Sequence, residues 1–89
     1  MTYELQFSTN FRRVFRKKEQ QMKDAVSDCI RKLAANPHHP GLNTHKMKGT
    51  RDEVWEAYVD KGNRVTFHYE GDRIVLRNNC NHDILYRNP

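Results

Sequence analysis

Two histidines are the residues of this chain best suited to moving protons. His45 lies in the segment L-N-T-H-K-M-K-G, and His82 lies in N-H-D-I-L-Y-R at the end of a strand-like half. Imidazole both gives and takes a proton near neutral pH, which suits it to general acid–base catalysis. If the later strands form an antiparallel meander, both histidines can reach the same end of the sheet. We therefore treat His82 as the leading acid or base and His45 as its complement, with the two individual roles left open.

A third segment, W-E-A-Y-V-D-K-G-N-R-V-T-F-H-Y, adds a cation, an aromatic ring and a carboxylate. Arg64 can grip phosphate oxygens in a bidentate manner. Tyr58, like Tyr86 near His82, can position a nucleobase or stack on it. Asp60 is a further candidate, either to orient a histidine or to act as an alternative base. Metal-free RNA cleavage needs a base for the 2′-hydroxyl proton, an acid for the leaving 5′-oxygen and cations for the extra phosphate charge. The residue types in these segments match all three needs.

The strand containing Arg64 predicts which groups face outward. Three apolar residues alternate there with three polar ones, Val65, Phe67 and Tyr69 with Arg64, Thr66 and His68. The apolar set should face the helices, which leaves the polar set on the open side of the sheet. By the same alternation Glu56 and Tyr58 should face outward beside Arg64. Such a face can hold a single-stranded RNA backbone, although an ordinary solvated surface explains Glu56, Thr66 and His68 equally well.

Basic and polar residues near these segments are candidate RNA contacts. They are Arg77, Lys46, Lys48, Arg87 and His68. The direction of Arg77 is ambiguous, because it shares a strand face with the apolar Val75.

The spacing of histidines and cysteines argues against a metal centre. His38 and His39 are adjacent, Cys80 and His82 stand closer together than zinc ligands usually do, and neither a C-x-x-C nor an H-x-x-x-H pair occurs. Cys29 and Cys80 are too few for a disulfide framework and are expected to be reduced. We predict no metal and no cofactor.

Composition limits the chain to a few classes of protein. Its 89 residues leave room for one domain with a thin core, at 36% hydrophobic and 30% charged residues. A net charge of +5 favours a polyanion or an acidic partner. The strand-like start predicts no signal peptide and no segment reaches membrane-spanning length, so we expect a cytoplasmic protein.

The pattern of elements predicts an α+β fold in the order β-α-α-β-β-β. Tyr3, Leu5 and Phe7 alternate as in a strand, and later strand patterns span residues 54–59, 64–69 and 73–78, separated by the turn-formers K-G-N and E-G-D. We therefore expect helices on one face of a mainly antiparallel four-stranded sheet. The predicted core is Leu5, Phe7, Phe11, Val14, Phe15, Val26, Ile30, Leu33, Trp55, Val65, Phe67 and Leu76.

The N-terminal half has helical periodicity with a capping signal and a stop signal. Ser8, Thr9 and Asn10 are good N-caps, and Asn36-Pro37 should end the helical region. The intervening R-K-K-E-Q-Q has no glycine or proline, so local signals allow one long helix. A small domain buries more surface if the chain folds back, and we favour two helices.

In these motifs and this order of elements, the chain resembles the RelE/ParE family of bacterial toxins, and within it the RNA-cleaving RelE, YoeB and YafQ branch. YafQ-like toxins carry histidines at the positions of His45 and His82 and an aromatic residue at that of Tyr86. RelE and YoeB toxins carry an arginine at the position of Arg64. The chain departs from the YafQ-like pattern at Tyr58, where that subgroup has a histidine, and near Asn63, where it has an acidic residue.

The resemblance implies a toxin that cuts messenger RNA in the ribosomal A site and is silenced by a cognate acidic antitoxin. The implied product carries a 2′,3′-cyclic phosphate. Two other functions remain open at this stage, because the same fold also serves ParE-type gyrase poisons and catalytically silent proteins.

Overall fold

The computed structural model describes residues 2–47 and 53–81, without the side chains of Cys80 and Asn81. The elements in chain order are β1 (Glu4–Phe7), α1 (Thr9–Arg16), α2 (Gln20–Ala35), a 3-10 turn (Pro40–Leu42), β2 (His45–Lys46), β3 (Trp55–Asp60), β4 (Asn63–Glu70) and β5 (Arg73–Asn81). The α+β class and the predicted order of the helices and long strands are confirmed. Within the described ranges, no helix is long and apolar enough to cross a membrane.

The sheet has five strands in the order β1-β5-β4-β3-β2. β3, β4 and β5 form the predicted antiparallel meander, and β1 pairs with β5 in parallel. The prediction of four strands was short by one, because β2 has only two residues and so cannot show a period-2 pattern. The pairing of β2 with β3 places His45 opposite Glu56 and Lys46 opposite Trp55. Part of the segment that was expected to be a loop is therefore the edge strand next to β3.

Two helices form, as predicted, and the non-helical residues 17–19 separate them. Ser8 caps α1, since its side-chain oxygen accepts a hydrogen bond from the Phe11 amide at 3.0 Å. α2 ends at Ala35, directly before Asn36-Pro37, as the proline signal predicted.

The core lies between the helices and one face of the sheet. Seven of the predicted core residues are buried there, namely Phe11, Val26, Ile30, Leu33, Val65, Phe67 and Leu76. Four others, Leu5, Phe7, Phe15 and Trp55, are half-buried and pack against that cluster, and Val14 is also only half-buried. Cys29 belongs to the core as a free thiol, and burial raises its pKa to about 12.

A bulge in β5 settles the direction of Arg77. The β4–β5 register shifts between Thr66, which pairs with Asn78, and Phe67, which pairs with Leu76, so Arg77 is the extra residue. Its carbonyl accepts hydrogen bonds from the side chains of Ser8 and Asn10, both at 3.1 Å. The bulge thereby joins the start of α1 to the sheet and lets the Arg77 side chain reach the face away from the helices.

Candidate active site on the polar face of the sheet

The sheet face opposite the helices carries most of the described site residues. Val65 and Phe67 are buried in the core, so the alternating Arg64, Thr66 and His68 lie on the other side, as predicted. We call this surface the polar face; it comprises His45, Glu56, Tyr58, Arg64, Thr66, His68, Arg77 and Asn78. Cross-strand pairing sets Tyr58 beside Arg64 and Glu56 beside Thr66.

His45 is held by its pairing with β3. Its Nε2 lies 2.8 Å from Glu56 Oε1, and its Nδ1 lies 3.0 Å from the carbonyl oxygen of Asn43. The His45 side chain is 48% exposed, whereas that of Glu56 is 0% exposed. The ring therefore contacts a buried carboxylate through Nε2 and is itself about half exposed.

The expectation that Glu56 and Thr66 face solvent was wrong, because both are fully buried. The face was expected to be open at β3, but β2 extends the sheet beyond that strand. Glu56 consequently has a neighbouring strand on each side, with the His45 ring against its carboxylate. A buried carboxylate needs compensating partners in the fold, which a solvated glutamate does not.

Tyr58 and Arg64 form a second group. The Arg64 guanidinium carbon lies 4.8 Å from the centre of the Tyr58 ring, a cation–π geometry. Arg64 Nη1 also donates to the carbonyl oxygens of Asp60 at 2.9 Å and Asn63 at 3.0 Å. Tyr58 itself is 36% exposed. These contacts hold a cation and an accessible aromatic ring together at the β3–β4 end of the polar face.

Asp60 organises the turn between β3 and β4. One carboxylate oxygen accepts hydrogen bonds from the Asn63 side chain at 2.8 Å and from the Gly62 amide at 3.0 Å. The hydrogen bond from Asn63, aided by the Gly62 amide and the charge of Arg64, lowers the pKa of Asp60. A carboxylate stabilised in this way is a weaker base, so this geometry favours a structural role for Asp60.

His68 and Arg77 meet further along the same face. Arg77 Nη1 lies 3.2 Å from His68 Nδ1, and His68 Nε2 lies 3.1 Å from Glu70 Oε2. Because arginine can only donate, His68 Nδ1 must accept, and the ring proton must lie on Nε2 toward Glu70. His68 thus lies between an arginine and a carboxylate.

Five predicted site residues remain, and the structure describes one of them, Lys46. Lys46 is exposed on β2 beside His45, and its Nζ lies 3.3 Å from Glu53. Four predicted site residues, Lys48, His82, Tyr86 and Arg87, lie outside the described residues. The structure therefore brings His45, Tyr58, Arg64, His68 and Arg77 onto one face and leaves the position of His82 a prediction.

Sequence reasoning missed the pairing of Glu56 with His45. The available signal was a glutamate between Trp55 and Ala57 in a segment of strand-forming residues. It had no clear meaning without β2, because only the β2–β3 register places His45 opposite Glu56.

No protein-family model matches the chain, and no curated protein matches it significantly. Several solved structures do. YafQ in the E. coli DinJ–YafQ toxin–antitoxin complex superposes with a TM-score of 0.78 at 10% identity, covering 97% of this chain and 99% of that one. A YoeB/ParE toxin from Agrobacterium tumefaciens gives 0.75 at 15% identity, over 89% and 98%. An archaeal RelE–RelB complex from Pyrococcus horikoshii gives 0.72 at 15% identity, over 91% and 96%.

The chain has the RelE-like fold. The resemblance inferred from the motifs is thus confirmed at the level of fold, over nearly the full length of each chain. At these identities the RelE-like fold does not by itself specify an activity, which depends on the residues of the polar face.

Proposed function

We propose that this chain is the toxin of a type II toxin–antitoxin pair and that it cleaves messenger RNA in the ribosomal A site. Two features support the proposal. RelE-like toxins share the fold over almost the whole chain. The polar face also carries a half-exposed histidine and a cation–tyrosine pair, and this second observation supports the proposed chemistry.

The reaction proposed is attack of a 2′-hydroxyl oxygen on the adjacent phosphorus. One histidine of the pair His45 and His82 takes the 2′-hydroxyl proton, and the other protonates the 5′-oxygen as its bond to phosphorus breaks. Arg64 binds the phosphate oxygens as negative charge accumulates on them. Tyr58 and Tyr86 position or stack on the flanking base. The products are a 2′,3′-cyclic phosphate and a 5′-hydroxyl, and no metal takes part.

The neighbouring cations are proposed to hold the RNA backbone. Lys46 is exposed next to His45, and Arg77 reaches the polar face through its bulge beside His68. We assign the same role to Lys48 and Arg87. These contacts would bind phosphates without reading sequence, so the codon preference must come from base contacts elsewhere.

The proposed partner is an acidic antitoxin. The chain carries a net charge of +5, and two of the structures with this fold are toxin–antitoxin complexes. A co-expressed acidic neighbour that fails to co-purify with the chain would count against this assignment.

The function is tested by expressing wild type, His45→Ala, His82→Ala and Arg64→Ala in cells and mapping transcript ends. Wild type should arrest growth and cut transcripts, and each variant should lose both effects. His38→Ala is the matched control, because His38 is an exposed histidine in a loop outside the proposed site. Cleavage that survives both histidine variants would refute the site. Arrest with intact transcripts and altered plasmid supercoiling would show a gyrase poison instead.

A further inference from the structure

The backbone carbonyl group of Arg77 is held by the start of α1. β1 pairs with β5 as far as Phe7 and Leu76, so Arg77 lies just beyond the end of β1. There its carbonyl oxygen accepts hydrogen bonds from Ser8 Oγ and from Asn10 Nδ2, both at 3.1 Å. Arg77 is also the extra residue of the bulge between β4 and β5. Two side-chain donors thus fix the backbone of the bulge from the side of α1.

Further contacts keep the start of α1 against β5. The Ser8 amide donates to the carbonyl oxygen of Leu76 at 3.0 Å. The buried Asn79 side chain donates to the carbonyl oxygen of Phe11 at 3.1 Å. The Ser8 hydroxyl also caps α1, since Oγ accepts a hydrogen bond from the Phe11 amide at 3.0 Å while it donates to Arg77. The helix start and the bulge form one hydrogen-bonded unit, so a shift of one displaces the other.

The side chain of Arg77 lies on the polar face, apart from the guanidinium of Arg64. Arg77 Nη1 lies 3.2 Å from His68 Nδ1. Arg64 Nη1 instead donates to the carbonyl oxygens of Asp60 and Asn63 at the β3–β4 turn. Arg64 and His68 are four residues apart on β4, which separates their Cα atoms by about 13 Å. The polar face therefore presents two cations at separate positions, each suited to a different phosphate of a bound strand.

We infer that Ser8 and Asn10 are positioning residues that hold Arg77 as a second phosphate contact for the RNA backbone. The inference rests on the proposed nuclease function. A bulge re-aims the side chain of its extra residue, and the two hydrogen bonds to the Arg77 carbonyl, here called the tether, fix the backbone from which that side chain leaves the strand. Because Arg77 and Arg64 serve different phosphates, the tether governs RNA binding and leaves the bond-breaking step unchanged.

Two substitutions of Ser8 separate the tether from the helix cap. In Ser8→Asp a carboxylate oxygen still accepts the hydrogen bond from the Phe11 amide, because aspartate is a good N-cap. It has no proton to donate to the Arg77 carbonyl, so the tether is lost. Ser8→Thr keeps a hydroxyl that both caps and donates, and it is the conservative rescue.

Asn10→Asp removes the other half of the tether. The variant keeps the oxygen that accepts from Arg13 Nη2 at 2.7 Å and loses the amino group that donates to Arg77. Both aspartate variants add a negative charge at the start of α1. Thr9→Asp adds the same charge at an exposed position between Ser8 and Asn10, and it is the matched charge control.

The affinity for RNA tests the inference. Ribosomes are programmed with messenger RNA that carries a 2′-deoxyribose at the scissile nucleotide, and the Kd of the purified chain is measured. Arg77→Gln should weaken binding at least about tenfold, since a hydrogen bond between charged groups is lost. Ser8→Asp and Asn10→Asp should weaken binding about threefold to tenfold, and Ser8→Thr and Thr9→Asp by less than about twofold.

Two further readouts separate positioning from a general loss of structure. When Arg77 is already glutamine, Ser8→Asp should weaken binding by less than about a further twofold, because its effect passes through Arg77. On ordinary RNA, Ser8→Asp should raise KM and leave kcat within about twofold of wild type. Additive losses, or a lower kcat at unchanged KM, overturn the inference.

A measurement on the purified chain does not depend on RNA. Nuclear Overhauser contacts between the Arg77 side chain and the His68 ring should be present in wild type and Ser8→Thr, and they should be lost in Ser8→Asp and Asn10→Asp. The two aspartate variants alter different hydrogen bonds, so either one suffices if the other does not fold. Contacts that persist without the tether overturn the inference.

The outcomes separate the two proposals. If wild type cleaves ordinary RNA but both aspartate variants bind as tightly as wild type, the tether has no role in binding and the nuclease function stands. If wild type neither binds nor cleaves RNA on the ribosome, the proposed function is wrong, and the NMR contacts decide whether Ser8 and Asn10 position Arg77.

Discussion

Adjacent residues of β2 contact one buried and one exposed carboxylate, and we predict very different responses to losing each contact. His45 contacts Glu56 at 2.8 Å, with the carboxylate 0% exposed. Lys46 contacts Glu53 at 3.3 Å, with the side chains 51% and 81% exposed. Removing one partner of a fully buried pair costs about 3–5 kcal/mol. His45 is 48% exposed and Glu56 has further interactions, so the loss should be smaller than for a fully buried pair. We expect His45→Ala to lower the free energy of unfolding by about 2–3 kcal/mol.

The exposed pair supplies the matched control. Lys46→Ala should change the free energy of unfolding by less than about 1 kcal/mol, since exposed pairs contribute about 0.2–1 kcal/mol. Urea unfolding followed by circular dichroism measures both values. In a double-mutant cycle, His45→Ala should be less destabilising by about 1–2 kcal/mol when Glu56 is already glutamine. Strict additivity, or equal losses for His45→Ala and Lys46→Ala, would refute the claim that the buried Glu56 side chain depends on His45.

Three further predictions concern the start of α1, the β3–β4 turn and the cation proposed to bind phosphate. Ser8→Ala removes both a helix cap and a hydrogen bond to the Arg77 carbonyl, so unfolding by urea should become easier by about 1–3 kcal/mol; a loss below about 0.5 kcal/mol would contradict both contacts. The folded pKa of Asp60 is lowered, so its carboxylate stabilises the fold above the ordinary carboxyl pKa and loses that effect as pH falls through the folded value. Asp60→Asn should therefore flatten the acid side of a stability–pH curve, and an unchanged curve would argue against the turn contacts. Arg64→Lys keeps the charge but loses the planar group above Tyr58, so cleavage should fall at least about tenfold with stability nearly unchanged; wild-type cleavage by this variant would remove Arg64 from the proposed mechanism.

Local signals were sufficient to predict most of the fold. The Ser8 cap, the Asn36-Pro37 stop and the two glycine turns each act within a few residues, and all four appear where they were predicted. The alternation around Val65 and Phe67 also predicted which side of β4 is polar, because side-chain period and burial agree in a strand that is covered on one face.

The features that sequence did not predict depend on pairing between distant segments. β2 exists only through its register with β3, and that register is what buries Glu56 against His45. The direction of Arg77 depends on a bulge, which displaces one residue from the strand alternation and cannot be located from period alone.

The central claim is that this chain cleaves RNA by 2′-hydroxyl attack, and the identity of the cut ends tests it most directly. Purified chain is added to ribosomes programmed with RNA that carries either a ribose or a single 2′-deoxyribose at the scissile nucleotide, and the fragments are weighed by mass spectrometry. We predict a fragment ending in a 2′,3′-cyclic phosphate from the ribose substrate and no cleavage of the deoxyribose substrate. Intact RNA in both reactions, or equal cleavage of both substrates, would contradict the account.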